Sequence, residues 1–128
     1  MALTYHTRQS GDVTILDLTG RLSLGEEVAF GPGSGVVLGD TVRELTKKGQ
    51  KKFVLNLAGV TYVDSSGVGQ LVGALTTARN HGGDVQLLKV PRQILDLLRI
   101  TKLDTAFDIH NDEAAAIQSF SKGTAARV

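Results

Sequence analysis

Two short runs of alternating apolar and polar residues open the chain. Leu3 to Arg8 is the first, and Val13 to Leu18 the second, with Val13, Ile15, Leu16 and Leu18 set around Thr14 and Asp17. Ser10-Gly11-Asp12 between them supplies turn chemistry, so the pattern predicts a β-hairpin, closed by Thr19-Gly20-Arg21-Leu22. Periodicity then lapses over 23–40, where Gly25, Gly31, Gly33, Gly35, Gly39 and Pro32 interrupt any regular element. The tract Gly31-Pro32-Gly33-Ser34-Gly35 is expected to be an exposed, flexible loop. A helix is predicted from Asp40 or Thr41, with Val42 and Leu45 inward and Gly49 stopping it.

Phe53 to Leu57 is an apolar run of strand length, as expected for a central strand covered on both faces. A turn should lead from it to Asp64-Ser65-Ser66-Gly67. There Val68, Leu71, Val72 and Leu75 begin a helix of i, i+3, i+4, i+7 spacing that His81-Gly82-Gly83 ends. Val85 to Val90 reads as a further strand, with Pro91 in the first turn of a helix using Ile94, Leu95, Leu97, Leu98 and Ile100. A short strand at Phe107-Asp108-Ile109 precedes a last helix, capped by Asn111 or Asp112 and carrying Ala116, Ile117 and Phe120. The order ββαβαβαβα implies an α/β domain: a mixed sheet of four or five strands, an N-terminal hairpin, and about four helices packed on it. Residues 1–122 are expected to form that domain, with a glycine-rich insertion at about 23–40 and a flexible tail at 123–128.

Composition narrows the function. A chain of 128 residues suffices for one core. Lys+Arg 14 against Asp+Glu 13 implies no basic face, and with no Trp there is little to stack bases on, so nucleic acid is not the expected partner. The absence of cysteine excludes thiolate catalysis and Cys-based zinc sites and fits a reducing cytosol. No run approaches the ~20 apolar residues that span a bilayer, and the first residues lack a signal-peptide layout. A cytoplasmic protein that does not insert into membranes is the expectation.

Asp64-Ser65-Ser66-Gly67 is the main candidate for chemistry. It puts two hydroxyls and a carboxylate at a helix N-terminus, where backbone N–H groups lack helical partners. Capping alone would explain it, Asp64 or Ser65 accepting from those groups. The functional reading is a phosphoacceptor, because a helix N-terminus tolerates a phosphate. Both can hold, one serine capping while its neighbour faces outward, with Ser66 assigned as the helix-start residue. Nothing points to an enzyme. Only one glycine stands two residues from Ser65, so the nucleophile elbow is not present. His6, His81 and His110 are scattered and read as surface histidines, and no spacing suggests a metal or cofactor site. The glycine loop lacks the Lys-Ser/Thr ending of a phosphate-binding loop, and a small-molecule or nucleotide sensor using that loop is the third class. Gly69 and Gly73 each weaken the helix by about 1 kcal/mol against alanine, so close packing is expected to offset that, from inside the domain or from a partner.

Together these residues resemble the STAS domain, and within it the bacterial anti-sigma factor antagonists. The resemblance rests on Thr19-Gly20-Arg21-Leu22, Val54-Leu55-Asn56-Leu57, Tyr62-Val63-Asp64-Ser65-Ser66-Gly67-Val68-Gly69 and the Gly82-Gly83 stop. It implies a switch: a domain that binds an anti-sigma factor, itself a serine kinase holding the ATP, and is released when the serine after the aspartate is phosphorylated. Here that serine is Ser65, with Asp64, Ser66, Gly67 and Gly69 supporting it and Leu22, Ser23, Tyr62 and Val68 as partner-binding candidates. A phosphatase would restore the binding form. The chain departs from the free antagonists at Ser23, where they commonly carry aspartate, and in the length of the segment that follows. The alternative is a STAS subunit of a stress-signalling scaffold or of a lipid or anion transport complex.

Overall fold

The computed structural model describes residues 3–23 and 38–126. The hairpin is β1 (Thr4–Ser10) and β2 (Val13–Leu22), and α1 (Leu38–Lys47) leads into β3 (Lys52–Val63). Then come α2 (Ser65–Asn80), β4 (Asp84–Leu88), α3 (Arg92–Ile100), β5 (Ile109–His110) and α4 (Glu113–Ala126). The strands form one five-stranded sheet in the order β1-β2-β3-β4-β5. β1 runs antiparallel to β2, and the remaining neighbours are parallel. The expected mixed α/β architecture is therefore present.

Alternation along the strands divides the core in two. Leu16, Leu18 and Leu22 of β2 and Phe53, Leu55 and Leu57 of β3 face α1, α2 and α3, meeting Leu38, Val42, Val68, Leu71, Leu75, Ile94 and Leu98 in one buried cluster. On the other face Val13, Ile15, Val54 and Leu88 pack under Ala116 and Phe120 of α4. An ionic clasp ties α4 to the hairpin: the Arg8 guanidinium bonds both Asp17 and Glu113, at 2.6 and 2.7 Å.

Several expectations are corrected. The turn placed after Leu57 is absent, because β3 continues to Val63. Its pairing with β2 shifts twice, between Asp17 and Thr19 and between Gly20 and Arg21, so β3 carries extra residues opposite each step. The inward positions run Phe53, Leu55, Leu57, Val60, Val63, and the widened spacing hides the strand from a period-two reading. Helix α1 begins at Leu38, before Asp40. Ile100 is not inward but 76% exposed at the end of α3. Backbone of α4 is helical through Ala126, past Lys122. His110 differs from a surface histidine, being half-buried with its Nε2 out of solvent. The glycine loop at 31–35 lies outside the described residues.

Candidate functional site

The parallel pairing of Leu22 with Val63 ends β2 and β3 together, directly under the first turn of α2. That turn can come so close because residue 67 is glycine. A Cβ there would lie 1.8 Å from the Leu22 carbonyl oxygen, which no side chain permits. Gly67 therefore sets how tightly the helix start sits on the strand ends.

Asp64 is the N-cap of α2, extended at φ −134°, and its Oδ1 accepts from the Gly67 N–H at 3.0 Å. The helix starts one residue earlier than expected, at Ser65 rather than Ser66. The same Oδ1 accepts from the Ser66 hydroxyl at 2.6 Å, and Oδ2 accepts from the Ser23 hydroxyl at 2.8 Å. These bonds, Ser66 first, then the Gly67 N–H and Ser23, hold the Asp64 carboxyl below the usual carboxylate range against the opposing cost of burial. The corner thus carries a fixed negative charge at neutral pH.

Ser65 is exposed at the first position of α2, while Ser66 is half-buried and engaged by Asp64. Tyr62 is 37% exposed beside them, its hydroxyl 3.5 Å from Asp64 Oδ2 and its ring under the Arg21 guanidinium at 4.1 Å. Leu22 and Val68 are corrections: at 0% and 3% exposure both belong to the core, so they shape the corner and offer no surface to a partner. For Gly69 and Gly73 the internal half of the expectation is corrected, since among the described residues a Cβ at either would meet nothing within 4 Å. Packing among the described residues does not require them. Gly69 lies one turn beyond Ser65 on the exposed side of α2.

Sequence reasoning missed Gln70. It is 4% exposed, donates through Nε2 to the Ser23 carbonyl at 2.8 Å, and accepts at Oε1 from the Leu38 N–H at 3.0 Å. Its one signal was a polar residue at a helix position beside the apolar stripe.

The STAS domain family model matches residues 34–116, which takes in the strand, corner and helix just described. The chain belongs to the STAS domain family. Among solved structures, a candidate anti-sigma factor antagonist from Thermotoga maritima is 21% identical with a TM-score of 0.70, over 90% of this chain and 92% of that one. The Bacillus cell fate determinant SpoIIAA in its phosphorylated form is 16% identical with a TM-score of 0.65, over 91% and 99%. A sulfate transporter family protein from Wolinella succinogenes is 15% identical with a TM-score of 0.62, over 85% and 84%. At these identities the likeness establishes the STAS fold. Among the described residues no helix is long and apolar enough to cross a membrane.

Proposed function

We propose that this STAS domain is an anti-sigma factor antagonist, a binding module whose docking to an anti-sigma factor is ended by phosphorylation of Ser65. The observation that carries the reading is the asymmetry of the two serines. Ser65 stands exposed at the helix start, whereas the Ser66 hydroxyl is committed to Asp64.

The electrostatics support a switch that acts on the partner rather than on the fold. A phosphoryl group adds about −1.5 to −2 charges at neutral pH. Helix N-termini receive anions through their N–H groups, but here the ionised Asp64 already accepts from Gly67. A phosphate on Ser65 has a like charge at its back and is directed outward. Against a partner carboxylate ~4 Å away at an effective dielectric of ~20, each unit of charge costs about 4 kcal/mol before screening. A third of that lowers affinity about tenfold. The domain needs no refolding to release its partner.

In this reading the partner is a serine kinase that binds the ATP, a phosphatase resets the switch, and all three act in the bacterial cytoplasm. Incubation with a candidate anti-sigma kinase and ATP, followed by mass spectrometric mapping, tests it: a single phosphate on Ser65 supports the assignment, and labelling that persists in Ser65→Ala defeats it. The second reading, a STAS subunit of a transport or scaffold complex without a phospho-switch, draws on the likeness to the sulfate transporter family protein and on Ser23 at the corner. A neighbouring permease gene favours it, and a neighbouring kinase or sigma factor gene favours the antagonist.

A further inference from the structure

Gln70 is a buried polar side chain that a helix of this kind does not need for packing. A buried amide costs free energy unless its groups are bonded, and here both ends of it are. Nε2 donates to the carbonyl of Ser23, the residue after β2, and Oε1 accepts from the N–H of Leu38, the first residue of α1. One side chain therefore joins Ser23 to Leu38 across the fold. It does so one helical turn beyond Ser66, on the same face of α2.

The tie continues into the serine corner. Ser23, held by its carbonyl, donates its hydroxyl to Asp64 Oδ2 at 2.8 Å and lies 3.4 Å from the Ser66 Oγ. Asp64 in turn holds Ser66 and the Gly67 N–H through its other oxygen. A continuous chain of hydrogen bonds runs from the start of α1 through Gln70, Ser23 and Asp64 to the turn that presents Ser65. We propose that Gln70 is a positioning residue for the Ser65 switch, fixing Ser23 against Asp64 and so setting the geometry in which Ser65 meets its kinase. The proposal rests on the antagonist reading for its functional consequence and on the bond chain for its physical content.

Two variants separate the links. Gln70→Met keeps the length and volume of the side chain and removes both hydrogen bonds. Ser23→Ala removes the hydroxyl that meets Asp64 and Ser66 and leaves the carbonyl bond to Gln70. The Leu38 amide should exchange about tenfold faster in Gln70→Met, the equivalent of one ordinary hydrogen bond, and at the wild-type rate in Ser23→Ala. With the kinase that labels Ser65, kcat/KM should fall about tenfold in both. The double variant should be no worse than either alone, because both act through one path. Gln93→Met, an exposed control on α3, should match the wild type. Faster exchange at Leu38 with unchanged Ser65 phosphorylation would make Gln70 a staple of the fold only and overturn the proposal, as would additive losses in the double variant. If no kinase labels the wild type, the antagonist reading fails and takes the functional part of this inference with it, while the bond chain is still decided. An NMR titration of the Asp64 carboxyl should then move upward in both variants, and an unmoved titration in Gln70→Met overturns it.

Discussion

The Ser66 hydroxyl donates to Asp64 Oδ1 at 2.6 Å, and that bond separates two serines adjacent in the chain. Ser66 is half-buried and spends its hydroxyl within the corner, while Ser65 is exposed. Phosphorylation should therefore occur on Ser65. Ser65→Ala is expected to abolish labelling with no measurable change in thermal stability, whereas Ser66→Ala is expected to retain labelling at reduced stability. Intact-mass measurement and a thermal melt on each variant check both.

Asp64 and Gly67 hold the corner in different ways, and their substitutions should fail differently. Asp64→Ala removes the N-cap of α2 and should cost about 1 kcal/mol, within the usual range for lost caps. Gly67→Ala drives a methyl group into the Leu22 carbonyl, so the strand end or the helix must move, at a cost of about 1–3 kcal/mol or more. Urea unfolding should show Gly67→Ala as the larger loss, with Leu22 and Val63 amide shifts displaced in the NMR spectrum.

Gly69 offers a sharper separation of stability from binding. Among the described residues nothing lies within 4 Å of the methyl group that alanine would add, so Gly69→Ala should stabilise the free domain by about 1 kcal/mol through helix propensity alone. If a partner lies over this turn of α2, the same methyl group should weaken binding. A higher melting temperature together with a lower affinity is the expected pair of results.

Acid should destabilise the fold in two steps. His110 has its pKa lowered by burial from an ordinary 6.5, so the unfolded chain takes up the proton first and stability falls as pH drops below about 6.5. Asp17 and Glu113 are held below their ordinary 3.8 and 4.5, chiefly by hydrogen bonds from Arg8. Their contribution is complete above those values and is lost as pH falls through the lower folded ones. Unfolding free energy measured from pH 8 to pH 3 should show both slopes. His110→Gln should flatten the upper one, and Glu113→Gln should reduce the lower one.

The elements carried by regular periodicity were legible in the sequence, the hairpin and the Val68–Leu75 stripe among them, and the cap of α4, narrowed there to Asn111 or Asp112, is Asp112, whose Oδ2 accepts from the Ala115 N–H at 3.0 Å. The far half of β3 was not, because its two register shifts replace a spacing of two by a spacing of three at Val60 and Val63. The corner was readable as a motif, but its wiring was not. Ser23 and Gln70 are 47 positions apart, and only the fold brings a carbonyl and an amide to 2.8 Å. Leu22 and Val68 border the exposed serine, one at the end of the neighbouring strand and the other three residues along α2, yet their own side chains turn into the core.

The central claim is that negative charge on Ser65 repels a docked anti-sigma factor without disturbing the domain. Isothermal titration of that partner with unmodified and Ser65-phosphorylated protein, alongside an NMR fingerprint of each, addresses it directly. A drop in affinity of at least tenfold, with chemical shifts changed only around Asp64 and the first turn of α2, is the predicted result. Equal affinities for the two forms would contradict it.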